Sequence, residues 1–204
     1  RDSSTSRGLG DVYKRQKLML INKDNPLPKD YKPELQEVCE GYFMEAHAAC
    51  AMKKMLCAAL RDGIRLRVFS AYRSISYQKG LFNENVDRYM LSGMSYEEAY
   101  AKTSKSIAIP GQSEHNAGLA ADISTVDWVG EITEEFENTP EFRWLCKNSY
   151  HFGYILRYPK NKTHITEITY EPWHYRYVGK VHAGCITRMG LTLEEYFQRQ
   201  RCGV

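Results

Sequence analysis

Apolar positions recur at helical spacing in several parts of the chain. In residues 43–62 an apolar stripe at intervals of three and four ends before Gly63, a common helix stop. Ser95 and Glu98 have the spacing of a capping box, and Thr139 and Thr192 stand where N-caps are expected. The predicted helices cover residues 43–62, 76–92, about 95–105, 141–150 and 193–199.

Short apolar runs and period-two alternation predict strands. The alternating run 65–73 ends in Tyr72 and Arg73, which the strand would deliver at its carboxyl end. A β-branched run at 163–170 is predicted to carry Glu171 at its end. The predicted strands cover residues 18–22, 65–73, 120–123, 153–158, 163–170 and 175–178. Helices come first and strands cluster later, which predicts an α+β fold with an antiparallel sheet and helices packed on it.

Size and charge narrow the classes of protein to consider. At 204 residues, with 43% hydrophobic and 26% charged residues, the chain suits one globular domain with its own core. A formal net charge of +3 is too small to argue for nucleic acid as a partner. No run approaches the roughly 18 apolar residues of a membrane span. We expect a monomer.

The start of the chain and its cysteines add two expectations. Residues 1–16 are polar without an apolar period, so we interpret them as a disordered tail or a cloning or assembly scar and assign 17–204 to the single domain. None of the six cysteines forms a C-x-x-C pair, which disfavours a structural zinc knuckle. We expect buried free thiols.

Two short motifs carry the candidate chemistry. Residues 113–122, SEHNAGLAAD, contain His115 and Asp122, and residues 171–174, EPWH, contain Glu171 and His174. Two imidazoles and a carboxylate are ligands that catalytic Zn²⁺ takes while it keeps a position open for water. Glu171 would then remain free to move protons.

The spacing within each motif has a physical interpretation. Gly118 allows a turn that folds His115 back toward Asp122 on the following strand. Glu171 and His174 are three residues apart, a spacing that aligns side chains on one face of a helical turn. Pro172 does not fit a helix interior, so we place residues 171–174 at a strand-to-turn junction.

Each signal alone is weak. A lone histidine is more often a surface or core residue than a ligand, and Glu-x-x-His occurs by chance on many helices. On composition alone Arg73 would be a surface cation, and Gln78 and Ser113 ordinary polar surface. The two motifs together, in this order, are far more specific.

These residues resemble the VanY-type D-alanyl-D-alanine carboxypeptidases, zinc peptidases that share a fold with D-Ala-D-Ala dipeptidases and the hedgehog signalling domain. The family pattern Ser-x-His-x-x-Gly-x-Ala-x-Asp is matched in residues 113–122, and Glu-x-Trp-His in 171–174. The resemblance covers about residues 18–197. It includes SAYRS at 70–74 and GYILRYP at 153–159.

The resemblance implies a zinc-dependent metallocarboxypeptidase that removes the C-terminal D-alanine from a peptidoglycan stem peptide or its precursor. His115, Asp122 and His174 would hold Zn²⁺, with Glu171 as the general base. Arg73 would face the substrate and bind either the oxyanion or the terminal carboxylate. The further candidates for substrate binding are Gln78, Ser113, Tyr154, Arg157 and Trp173, with Tyr154 and Arg157 expected in the cleft wall.

Several alternatives stay open. Hedgehog-type relatives keep a zinc site in a binding domain, the same fold could cleave as an endopeptidase or amidase, and zinc could be a purely structural clip. D,D- and L,D-cleaving relatives share every motif. The substrate class implies the bacterial exterior, with the cytoplasm as the alternative. One departure is Glu167, where related sequences often have Gly.

Overall fold

The computed structural model describes residues 18–202, so the proposed tail at 1–16 lies outside the described residues. The strands are β1 Leu35–Cys39, β2 Tyr42–Glu45, β3 Leu66–Ser70, β4 Ala120–Thr125, β5 Tyr154–Tyr158 and β6 Glu171–Tyr177. The helices are α1 Ala46–Arg61, α2 Ile75–Leu91, α3 Tyr96–Thr103, α4 Pro140–Asn148, α5 Thr163–Thr166, α6 Lys180–Met189 and α7 Leu193–Cys202. Short 3₁₀ turns span Glu114–Ala117, Glu134–Asn138 and Ser149–Phe152.

A four-stranded sheet in the order β3-β4-β6-β5 forms the centre of the fold, and every neighbouring pair is antiparallel. A separate hairpin, β1–β2, leads directly into α1. The α+β class with an antiparallel sheet is therefore confirmed. No helix within residues 18–202 is both long and apolar enough to cross a bilayer.

The two faces of the sheet have different surroundings. Alternate residues of a strand point to opposite faces, so Ala121 and Ile123 of β4 lie in the core beneath α1 and α4. On β6, Tyr175 points into the same core. The opposite face carries Asp122 and His174, which are directly paired across β4 and β6. The alternation of side chains along β4 and β6 thus gives the sheet one apolar face and one polar face.

Side-chain caps fix where several helices begin. Ser95 and Glu98 form the predicted capping box of α3. Thr139 Oγ1 accepts from the N–H of Phe142 at 3.1 Å, and Pro140 occupies the first turn of α4. Thr192 Oγ1 likewise accepts from the N–H of Glu195, as predicted for α7.

Some predicted elements are wrong. Residues 18–22 form no strand, and only an isolated bridge joins Asn22 to Asn25. The β-branched run 163–170 begins as the short helix α5 and ends at Glu167 with φ +60°, so it cannot continue as a strand. Glycine would adopt this left-handed conformation with less strain than glutamate.

The predicted first helix starts later than expected, because residues 42–45 complete the unpredicted hairpin. Helix α6 was not predicted either. The described cysteines are free as expected, but their predicted burial is wrong: Cys39 and Cys185 are half-buried, and Cys50, Cys57, Cys146 and Cys202 are exposed.

A glycine substitution tests how tightly the hairpin seats the first motif. Gly118 has φ +69°, and a Cβ there would lie 2.8 Å from the backbone nitrogen of Glu45. Gly118→Ala is expected to lower the free energy of unfolding by about 1–2 kcal/mol from its backbone conformation and by about 1–3 kcal/mol more from the clash. Denaturant unfolding measures the change.

Gly63→Ala is the matched control. Gly63 has φ +77°, and a Cβ there would meet nothing within 4 Å, so only the backbone term applies. Equal losses in the two variants would contradict the close packing of Gly118 against the hairpin.

Candidate metal centre

His115 is aimed by a short capped turn. Ser113 caps the 3₁₀ turn Glu114–Ala117, and its Oγ accepts from the N–H of His115 at 3.3 Å. Gly118 ends the turn in the left-handed conformation and returns the chain into β4. His115 Nδ1 lies 2.7 Å from the carbonyl oxygen of Ala71, which leaves Nε2 facing Asp122 Oδ2 at 3.4 Å.

The second histidine reaches the same point from the neighbouring strand. His174 is the cross-strand partner of Asp122, and its Nδ1 lies 3.2 Å from Asp122 Oδ1. One ligand atom from each of His115, Asp122 and His174 lies within 4.8 Å of the others, and all three residues are buried. This is the group that could hold a metal ion.

A bulge brings Glu171 to the same group. The pairs Leu156–Tyr175 and Tyr158–Glu171 leave residues 172–174 of β6 opposite Arg157 alone. Glu171 Oε2 therefore lies 3.5 Å from His174 Nδ1, although the two residues are three apart on a strand. The prediction that residues 171–174 lie at a strand-to-turn junction is wrong, because the motif forms the start of β6.

The donor set fits Zn²⁺ chemically. Asp122 Oδ1 is buried, makes no hydrogen bond of good geometry within residues 18–202, and faces His174 Nδ1 at 3.2 Å, as expected of an oxygen that shares a cation with that nitrogen. Burial alone would raise the pKa of Asp122, but His115, His174 and Arg73 hold that pKa well below its usual range. Two imidazoles and an ionised carboxylate are ligands that zinc accepts.

The protonation of the neighbouring groups depends on the same contacts. Burial raises the pKa of Glu171 to about 8, which suits a group that must accept and return a proton near neutral pH. Burial lowers the pKa of His174, but bonds to Asp122 and Glu114 outweigh it and raise the pKa to about 9. A proton on His174 and a bound divalent cation would both interact with the Asp122 carboxylate. Metal binding would therefore release a proton from His174.

Arg73 lies beside the metal group. Its Nη2 donates to Asp122 Oδ2 at 2.7 Å, its Nε to Ser70 Oγ at 2.9 Å, and its Nη1 to Gln78 Oε1 at 3.4 Å. Gln78 is itself anchored, since its Nε2 donates to the carbonyl oxygen of Ala108. The guanidinium is therefore held in place before any substrate arrives.

The group opens into a cleft of about 470 Å³. Side chains of α2, the loop before the first motif and β6 form much of its wall. The predicted site residues that line it are Arg73, Gln78, Ser113, His115, Asp122, Glu171, Trp173 and His174.

Two predicted cleft residues lie elsewhere. Tyr154 points into the core, where its hydroxyl donates to the carbonyl oxygen of Ala48 at 2.7 Å. Arg157 is on the opposite face of β5 but is buried against Glu114 and Glu194. The expectation that both form the cleft wall is wrong: alternation turns one side chain away, and α7 covers the other.

Other residues of the site were missed. Tyr158 lies in the cleft with its ring 4.8 Å from that of His174. Asn116 Nδ2 donates to the carbonyl oxygen of Arg73, which ties the first motif to the segment after β3 that carries Arg73. Glu114 is fully buried behind His174. The available signal for Glu114 was a charged residue directly before the candidate ligand His115.

A family model described as "VanY: D-alanyl-D-alanine carboxypeptidase" matches residues 41–180. The chain belongs to the VanY family. One relative is a D-alanyl-D-alanine carboxypeptidase of Enterococcus faecalis, 37% identical over 198 residues, an alignment that covers 97% of this chain and 71% of the relative.

Solved structures of the VanY fold superpose closely. A zinc(II) complex of a variant vancomycin-resistance D,D-pentapeptidase VanY is 39% identical with a TM-score of 0.80, covering 90% of this chain and 99% of that chain. The LD-carboxypeptidase LdcB is also 39% identical, with a TM-score of 0.76 and coverage of 89% and 86%. The predicted family, enzyme class and zinc cofactor are confirmed.

Removal of a ligand tests the metal group of this VanY-family chain. His115→Ala and Asp122→Ala are expected to lower the zinc content of the purified protein, because each removes one of the three converging donors. Metal analysis of the dialysed protein measures the stoichiometry. His164→Ala, at an exposed histidine on α5, is the control and should keep full zinc. Full stoichiometry in both ligand variants would remove these residues from the metal site.

Proposed function

We propose that the chain hydrolyses the last peptide bond of a peptidoglycan stem peptide and releases the C-terminal D-alanine. His115, Asp122 and His174 hold zinc, and Glu171 is the general base. The observation that carries the proposal is the convergence of three ligand atoms within 4.8 Å, with the Glu171 carboxylate 3.5 Å from His174 Nδ1, in one cleft.

The division of labour follows from the contacts. Bound zinc supplies Lewis acidity that polarises a carbonyl and activates water. Glu171 takes the proton of the attacking water and passes it to the leaving amine. Its buried position supports this role, since desolvation favours the protonated form of the carboxyl and makes the carboxylate a better base.

Arg73 is assigned to the oxyanion. Its guanidinium bonds directly to the proposed ligand Asp122, so it would lie beside the carbonyl oxygen of a substrate bound at the metal group. A fixed cation there stabilises developing negative charge, an effect worth about 3–4 kcal/mol for one good donor. Gln78 and Ser113 are proposed to hold the terminal D-amino acid, and Trp173 to flank it, because all three line the cleft.

The site of action is proposed to be the bacterial cell wall, outside the cytoplasm, with the protein working as a monomer. The family description, D-alanyl-D-alanine carboxypeptidase, supports a cell-wall peptide as substrate. The three proposed ligands and Glu171 all come from one chain, so the metal group is complete without a residue from a second subunit.

The general base can be tested without disturbing the ligands. Glu171→Gln keeps the size of the side chain but removes its capacity to take a proton, so turnover should fall by about 10²–10⁴-fold while zinc content stays unchanged. Glu134→Gln, at another carboxylate that lines the cleft, is the control and should keep nearly wild-type turnover. Near wild-type hydrolysis by the Glu171 variant would rule out this base.

Substrate length and terminus test the reaction itself. Synthetic stem peptides ending in D-Ala-D-Ala or in a single D-alanine after the diamino residue separate D,D- from L,D-cleavage, and mass spectrometry identifies the product. We expect release of one D-alanine from at least one of them, inhibition by chelator, and resistance of the C-terminally amidated peptide. Cleavage inside the peptide or between stem and cross-bridge would replace the proposal with an endopeptidase, and no cleavage of any peptide would contradict it.

A further inference from the structure

His174 is contacted through both nitrogens of its ring. Nδ1 faces the metal group, 3.2 Å from Asp122 Oδ1. On the other side of the ring, Nε2 lies 3.4 Å from Glu114 Oε2, within hydrogen-bonding reach. The proposed mechanism uses Nδ1 and gives no role to Glu114.

Glu114 is held by two arginines through one of its oxygens. Oε1 accepts from Arg157 Nε at 2.7 Å and from Arg176 Nη1 at 2.7 Å. All three side chains have no exposed surface. Because both arginines bond to Oε1, Oε2 remains directed at His174 Nε2.

Each arginine is anchored at its far end as well. Arg157 forms a two-point bond with Glu194 of α7. Arg176 donates to the carbonyl oxygens of Met19 and Tyr177 at 2.6 Å and 3.0 Å. Two carboxylates and two guanidiniums therefore balance in charge, and Glu114 is fixed in position and ionised behind the histidine.

We propose that Glu114 is a positioning residue that accepts the Nε2–H of His174 and thereby directs the Nδ1 lone pair toward the metal. The inference rests on the proposed ligand role of His174. An imidazole has one proton to place when neutral, and the partner of one nitrogen decides which nitrogen can ligate. Partners of this kind typically change metal affinity by about 10–100-fold when removed.

The alternative is a purely structural role, in which the buried ion pairs of Glu114 and Glu194 with the two arginines only stabilise the fold. Glu194 offers a matched control, because within the described residues its carboxylate bonds to the same Arg157 and not to His174. Loss of either carboxylate leaves the positive charge of a buried arginine only partly compensated and should lower the free energy of unfolding. Only loss of Glu114 should change how His174 binds metal.

Glu114→Gln makes a sharp test. If the amide oxygen faces the two arginines, its NH₂ group faces His174 Nε2, and two donors oppose each other unless the ring moves its proton to Nδ1. That tautomer has no lone pair for the metal. In a serine-protease triad the corresponding aspartate-to-asparagine change keeps the geometry, selects the wrong tautomer and lowers kcat by about 10⁴.

The experiment measures the zinc Kd of folded wild type, Glu114→Gln and Glu194→Gln by competition with a chromophoric chelator, with thermal unfolding of each metal-free protein recorded alongside. We expect both variants to lose stability. Only Glu114→Gln should weaken zinc binding, by about 10–100-fold, and alter the absorption spectrum of the cobalt(II)-substituted protein. An unchanged Kd in Glu114→Gln, or equal weakening in both variants, overturns the proposal.

A measurement on the wild type covers the case in which Glu114→Gln does not fold. In ¹H–¹⁵N spectra of the zinc-loaded protein labelled at histidine, His174 should show an Nε2–H that is protected from exchange with water. An Nδ1–H tautomer overturns the proposal. The proposed function fails separately, if wild type itself binds no zinc or His174→Ala binds it as tightly as wild type.

Discussion

The pairing of Asp122 with His174 across β4 and β6 is the constraint on which the site depends. Side chains alternate along a strand, so a slip of one residue would turn both groups into the core and bring Ala121 and Tyr175 to the polar face. The hydrocarbon packing beneath α1 therefore protects the metal group indirectly. Register is set by burial of apolar residues on one face, and the chemistry is displayed on the other.

Charge compensation is the second requirement. Asp122, Glu171 and Glu114 are buried within a small volume, and an unpaired buried charge is strongly unfavourable. Arg73 forms an ion pair with Asp122 on the side of the cleft. Arg157 and Arg176 form ion pairs with Glu114 on the far side of His174. Burial raises the pKa of Glu171, whereas His115, His174 and Arg73 together outweigh burial at Asp122 and hold its pKa low. Two carboxyl groups in the same site thus take different roles: Asp122 is held ionised as a ligand, and Glu171 can accept a proton as a base.

The sequence predicted the metal group because its signals are local. Gly118 permits the turn that returns His115 toward Asp122, and Glu171 and His174 are close along the chain. It could not predict contacts set by tertiary packing. The placement of Tyr154 depends on which face of β5 meets α1, and that of Arg157 on α7, a helix that follows it by more than thirty positions. Residues 163–170 looked like a strand by composition, but nothing in composition reveals the left-handed Glu167 that ends α5.

The bond from Arg176 to the carbonyl oxygen of Met19 ties the beginning of the described chain to the metal group. That oxygen belongs to the backbone, so no side-chain substitution at Met19 removes it, whereas shortening the chain past this point does. Arg176 also bonds to Glu114, which lies against His174. Removal of residue 19 would therefore affect the proposed ligand His174 indirectly, through Arg176 and Glu114. The segment around Met19 therefore supports the metal group, although it precedes β1 and has no regular secondary structure of its own.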